Sequence, residues 1–225
     1  MDFNRNKGYF QSSNAPRNIG IGLGIFGLIL FAAGEAGFIF GILFIAGGIA
    51  LFYFMDIKKR LSDSEFDQIC ESQVQDMRNE ALSKLGLDED EVSEAGHIQV
   101  SSYDYDTHSP SILRKQGKDG VWRTSQYMVA VLFSSQDVLH CFVRRFSVIG
   151  NETTDSIEEH FYRDITSFKV APNVRNDQIN AEYVELTKAN GSTFNFAFKR
   201  ADSERVTRSI NAMRNLLKDK RQTMA

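Results

Sequence analysis

The chain has 225 residues, of which 24% are charged, a formal net charge of −3 and two cysteines, Cys70 and Cys141. This balance excludes a disulfide framework, a CxxC-type metal cluster and the basic footprint of a nucleic-acid-binding surface. The mean hydropathy of −0.29 averages over a sharp contrast, because residues 19–55 carry a single charge, Glu35.

Residues 1–15 read as a short polar tail. The apolar run that follows, Ile19 to Met55, would be about 55 Å long as one helix at 1.5 Å per residue, well beyond a hydrocarbon core of roughly 30 Å. The sequence therefore predicts a two-helix transmembrane hairpin over residues 16–55, with its corner at Gly34-Glu35-Ala36-Gly37. Pro16 suits the first turn of the first arm, which runs to about Ala33. The second arm runs from about Ala36 to Met55, with Phe52, Tyr53 and Phe54 as aromatic surface at its exit.

Nine glycines lie between Gly20 and Gly48, a costly choice in a helix unless backbones approach closely. Gly20, Gly24 and Gly27 share one face of the first arm, and Gly37, Gly41 and Gly48 share one face of the second. They are candidate helix-packing residues, within the hairpin or against another subunit. Arg5, Lys7 and Arg17 precede the run, and Lys58, Lys59 and Arg60 follow it. The charge rule for membrane proteins then places both termini in the cytoplasm.

Residues 56–95 read as an amphipathic helical stalk and acidic linker. Ser62 and Glu65 have capping-box spacing. Phe66, Ile69, Cys70, Val74, Met77, Ala81, Leu82 and Leu85 recur near the helical period, and Gly86 is a stop. Asp88 to Glu94 is an acidic run without the alternating ligands of a calcium loop.

Residues 96–220 change to strand periodicity. Short runs begin at Ile98 and Ile112, and Gly117-Lys118-Asp119-Gly120 marks a turn. A strand is expected over Trp122–Ser134, where Tyr127, Val129, Val131 and Phe133 oppose Met128, Ala130 and Leu132, so that both faces are apolar. A second strand, Val138 to about Val148, contains Arg144, which needs a carboxylate partner or an exposed rim. Further strands follow at 157–161, 165–170 and 183–187. Asn190-Gly191 signals a hairpin, and Phe194, Phe196 and Phe198 alternate in the last strand. Val206, Ile210, Met213 and Leu217 form the apolar stripe of a C-terminal helix.

With FYRDITSFKV at 161–170, YVELTKANGSTFNFAF at 183–198 and the helix from Asp202, the chain resembles the bacterial pleckstrin-homology-like (PH-like) membrane proteins. The resemblance spans roughly residues 16–219. It implies an α+β chain in which a strongly bent seven-strand sheet or partial barrel is capped by the C-terminal helix. It also implies a role in assembly or membrane-associated interaction.

Catalytic chemistry has no constellation in the sequence. His97, His108, His140 and His160 lack metal-ligand spacing, no phosphate-cradling loop occurs, and no cofactor is expected. Arg114, Lys115, Lys118, Trp122 and Arg123 around the Gly117–Gly120 turn are candidate headgroup or partner contacts. The resulting expectation is a membrane-anchored, non-enzymatic adaptor or assembly subunit of the bacterial inner membrane, multi-pass, with both termini cytoplasmic. Its partners would be the lipid bilayer and a membrane protein or second copy. The alternative is a lipid-headgroup-binding or membrane-remodelling module that recognises an anionic lipid.

Overall fold

The computed structural model describes residues 1–11, 15–32, 35–51, 53, 61–92, 97–105, 112–172 and 181–223. These divide into two units, residues 2–66 and 67–225. Expectations placed on Gly34, Phe52, Phe54, Lys58 to Arg60, Glu94, His108 and residues 173–180 lie outside the described residues. So do those on the side chains of Pro16, Arg17, Glu35, Ala36, Leu217, Lys220 and Arg221.

In residues 2–66 the glycine-rich run folds into an antiparallel pair, α2 (Ala15–Phe31) and α3 (Glu35–Leu51), after a short α1 (Phe3–Gln11). The ring of Tyr9 in α1 stacks on Phe66 at 4.4 Å, and its hydroxyl donates to Asp63 Oδ1 at 2.7 Å. Asp63 opens α4 (Asp63–Ser72). There the capping box closes reciprocally: Ser62 N–H donates to Glu65 Oε2 at 2.8 Å and Glu65 N–H to Ser62 Oγ at 3.2 Å.

The transmembrane reading of this hairpin is corrected. Each helix has 17 residues, about 25 Å of rise against a hydrocarbon core of roughly 30 Å, and α2 begins with the polar stretch Ala15-Pro16-Arg17-Asn18. Among the described residues no helix is long and apolar enough to cross a membrane. The inner-membrane placement with both termini cytoplasmic, the membrane-anchored function and the bilayer, membrane-protein, second-copy and anionic-lipid partners lose their structural basis with it.

The single stalk helix is also corrected, because α4 ends at Ser72 and α5 (Met77–Leu85) starts anew. Between them the chain passes through tight turns, Gln73 N–H to the Cys70 carbonyl and Val74 N–H to that of Glu71. The stop at Gly86 is present: its φ of 67° lets Gly86 N–H and Leu87 N–H reach the Ser83 and Leu82 carbonyls.

Among the described residues of 67–225, nine strands form three open antiparallel sheets. The first, in the order β1-β4-β5-β6, contains β1 (His97–Tyr103), β4 (Gln126–Ser134), β5 (Val138–Ser147) and β6 (Thr153–Phe161). A two-strand ribbon pairs β2 (Arg114–Gln116) with β3 (Trp122–Thr124), and β7 (Ile165–Pro172), β8 (Ala181–Lys188) and β9 (Thr193–Lys199) make the third sheet. The expected seven-strand bent sheet or partial barrel is thus corrected, since the described strands close no barrel. Two local diversions are responsible. The Trp122–Ser134 strand breaks at Ser125, which bonds through its N–H to the Leu113 carbonyl. A 3₁₀ turn at Tyr162–Asp164 then sends the chain from β6 into a strand that pairs forward with β8.

The four- and three-strand sheets share one core. Val100, Ala130, Leu132, Leu139 and Cys141 meet Phe168, Val184, Leu186 and Phe198 there, and Val206, Ile210 and Met213 of α6 (Ser203–Thr223) join them. On the opposite face of the four-strand sheet, Tyr127 makes edge contact with Tyr103 at 5.1 Å, and α5 supplies buried Met77, Ala81 and Leu82. At the β8–β9 turn, Gly191 supplies the left-handed residue at φ 83°.

Buried Arg123 joins α4 to the ribbon. It is 1% exposed, grips Asp67 through Nε and Nη2 at 2.9 and 2.8 Å, and Asp119 through Nη1 and Nη2 at 2.9 and 2.6 Å. Asp67 also accepts from Tyr103 at 2.5 Å. Arg144 does the same for α5, pairing Asp155 at 2.6 Å and Glu80 at 2.7 Å. Arg123→Met leaves two carboxylates without their cation and is expected to destabilise residues 67–225 by about 2–4 kcal/mol. Denaturant unfolding followed by fluorescence of Trp122, the single tryptophan, measures this, with Arg123→Lys intermediate because lysine lacks the fork.

Candidate functional site

Glycine sets the contact between α2 and α3. A Cβ at Gly27 would lie 2.8 Å from the Gly41 carbonyl oxygen, and one at Gly41 would lie 2.7 Å from that of Gly27. One at Gly48 would lie 2.6 Å from the Gly20 oxygen. All four are buried, and the seven-residue spacing within each helix keeps both pairs on one seam. Gly24 lines the same seam beside Gly48, with open space at its own Cβ position. Gly37 is half-buried near the start of α3. Phe26 and Phe44 at 5.3 Å, and Phe31 and Phe38 at 4.6 Å, flank the seam with ring contacts.

Because small residues occupy the inner face, the large apolar side chains point outward. Leu28, Ile29, Ile39, Leu43 and Ile49 are each more than 60% exposed, and Phe40 is 59% exposed. Between the two helices, Gly20, Gly24 and Gly48 form the floor of an apolar notch of about 240 Å³ walled by Ile21, Ile45 and Ile49.

The basic turn is arranged differently. Gly120 supplies its positive φ of 79°, and Asp119 Oδ1 accepts from Val121 N–H at 3.0 Å. Arg123 points inward to its two carboxylates, and its hydrogen bonds hold the Asp119 carboxyl down at about 2. Lys118 and Arg114 are exposed, while Lys115 and Trp122 are half-buried. The five candidate contacts therefore do not converge on one outward surface.

Both cysteines are buried. Burial raises the Cys70 thiol to about 12 and pushes that of Cys141 up as well, the reverse of what a nucleophilic thiolate needs. Ser135 Oγ lies 3.0 Å from His140 Nε2, and His140 Nδ1 lies 3.3 Å from Glu159 Oε1, the order of a serine–histidine–acid relay. Ser135 Oγ donates to the Val138 carbonyl of its own turn at 3.1 Å, and His140 Nδ1 makes no hydrogen bond, so the relay is incomplete at both ends. No group of three or more metal-ligating side chains occurs among the described residues.

The sequence did not single out His160. It is 2% exposed, sits 4.8 Å from the Phe194 ring, and neither of its ring nitrogens makes a hydrogen bond. Glu158 Oε2 lies 3.5 Å from Nε2. Burial, and then the Lys188 charge, lower its pKa to about 4.

No family model, curated protein or solved structure matches the chain. The resemblance to PH-like membrane proteins is corrected on that finding together with the open sheets and the short hairpin helices.

Gly27→Ala is expected to force α2 and α3 apart, whereas Gly47→Ala, with open space at its Cβ position, is expected to leave them in place. Spin-label distances between positions 25 and 43 should lengthen in the first variant and not in the second. His160 gives a pH signature. The unfolded chain takes up a proton below about 6.5 and the folded chain only near 4, so stability present above pH 6.5 falls as pH drops through that window, by up to about 3 kcal/mol. His160→Phe should flatten this part of the stability–pH curve.

Proposed function

We propose that the protein acts by association rather than catalysis, as an interaction module that buries the outer surface of the α2–α3 hairpin against an apolar surface of another protein. The observation that carries this reading is the exposure of Leu28, Ile29, Ile39, Phe40, Leu43 and Ile49 on one pair of helices. Exposure of several large apolar side chains on one pair of helices is a mark of an interaction site. At about 25 cal/mol per Å² of apolar area removed from water, its burial supplies a strong drive for association.

The shape favours a structured partner. The glycine-floored notch between Ile21, Ile45 and Ile49 is large enough for one bulky apolar side chain, and the isoleucines beside it are stiff at χ1 and form fixed walls. The non-catalytic half of the reading is supported by the buried, protonated cysteines. It is supported too by the commitment of Arg123 and Arg144 to structural ion pairs.

Photo-crosslinking in the native cell tests the proposal. A photoreactive residue at Leu28 or Ile39 should give a discrete adduct with one protein species, and the adduct should disappear when Ile25 and Leu43 are replaced by asparagine. Adducts with lipid alone, or none at either position, would overturn it.

A further inference from the structure

We infer that the free edge of β6 is a docking strand for an extended, basic segment of another protein. The inference is independent of the hairpin, because it rests on residues of the 67–225 unit alone.

Among the described strands β6 pairs with β5 and nothing else, so one side of its backbone remains open. Open edges are ordinarily guarded by bulges, prolines, charged side chains or shortness. β6 has no bulge or proline, and its charged side chains are the carboxylates Asp155, Glu158 and Glu159. It runs nine residues, Thr153–Phe161, without proline, glycine, lysine or arginine, and its register with β5 is continuous from Val138↔Phe161 to Phe146↔Thr153.

The side chains on this strand are equally unusual for their unit. Among the described residues of 67–225, the large apolar side chains left exposed are Ile157 at 49% and Phe161 at 46%. Both lie on β6, four residues apart on one face of the strand, with Glu159 between them. An added strand places alternate side chains beside this row. Two apolar residues flanking a cation would match Ile157, Glu159 and Phe161.

Charge selects the occupant. Glu158 and Glu159 lie near the ring nitrogens of His160 and His140, at 3.5 and 3.3 Å. Burial keeps His160 neutral down to about pH 4, so it leaves the Glu158 charge in place. Asp155 differs, since Arg144 binds it bidentately at 2.6 and 2.7 Å. The C-terminal half of β6 therefore sets Glu159 between two exposed apolar side chains on one face and half-buried Glu158 on the other, with the Arg163 guanidinium over the Phe161 ring at 5.2 Å. It fits a segment in which a lysine or arginine is flanked two residues away on each side by apolar residues, with a second cation next to it for Glu158. A second copy of β6 fits poorly. Parallel in-register pairing would set every carboxylate against itself, which is destabilising, and antiparallel pairing about Ile157 would set Glu159 against the Arg144-bound Asp155 and supply it with no free cation.

The experiment uses the full chain, kept monodisperse in a non-ionic detergent, and two synthetic probes, the extended heptapeptide Thr-Val-Thr-Lys-Lys-Val-Thr and its counterpart with both lysines replaced by glutamate. At low salt the basic peptide should bind at least tenfold more tightly than the acidic one and should slow hydrogen exchange at the amides of residues 153–161. The double substitution E158K/E159K, both side chains outside the shared core, should reverse the preference while leaving the thermal midpoint in place. Equal binding of the two peptides would overturn the inference. So would protection outside β6, or an unchanged preference in the folded E158K/E159K variant.

Discussion

The 67–225 unit is organised by the absence of a solvent face on β4. Tyr127, Val129, Val131 and Phe133 are fully buried on one side, and Met128, Ala130 and Leu132 are buried on the other. A strand buried on both faces needs a layer on each. The three-strand sheet and α6 provide one layer, and α5 with the part of α4 beyond Phe66 provides the other. Neither helical segment would be fixed by apolar contact alone, since both are short. Arg123 and Arg144 supply direction, Arg123 forking onto Asp67 of α4 and Asp119 of the β2–β3 turn and Arg144 onto Glu80 of α5 and Asp155 of β6. Arg123 is worth this desolvation because five of its N–H···O contacts are made, which is the condition under which a buried cation is tolerated.

The hairpin reverses that arrangement. Its helices meet through backbone and glycine, so that close approach replaces side-chain interdigitation and the bulky residues are left for the outside. Any Cβ at Gly27, Gly41 or Gly48 would collide with backbone of the opposite helix, and backbone cannot turn aside as a side-chain tip can. Glycine here has a packing role, which outweighs its entropic cost within a helix. The outward apolar surface follows directly.

β6 shows how an otherwise covered sheet retains one accessible edge. The 3₁₀ turn at Tyr162–Asp164 ends the strand and hands the chain to a different sheet, so none of the described strands that follow pairs back onto it. Tyr162 is anchored there by its hydroxyl, 2.6 Å from Ser134 Oγ and donating to the Ser135 carbonyl at 2.8 Å. The same turn thus fixes the end of the β4–β5 hairpin and leaves the outer side of β6 open.

By itself the sequence determined the local elements whose signals lie within a few residues. These include the reciprocal Ser62–Glu65 capping box, the helix stop at Gly86, the turns at Gly120 and Gly191, the two-sided burial of β4 and the apolar stripe of α6. Helical spacing alone groups Gly20, Gly24 and Gly27 on one face and Gly37, Gly41 and Gly48 on another, whereas the close approach at Gly20, Gly27, Gly41 and Gly48 is a property of how the two helices pair. Hydropathy overstated the reach of that run, since it counts apolar residues and cannot show that each described helix stops at 17 residues. Only the tertiary structure decided the three-sheet arrangement, the inward turn of Arg123 toward Asp67 across 56 residues of chain, the enclosure of His160 and the open edge of β6. Each depends on which distant segments meet, and a pairing between residues far apart leaves no periodicity in either segment from which it could be read.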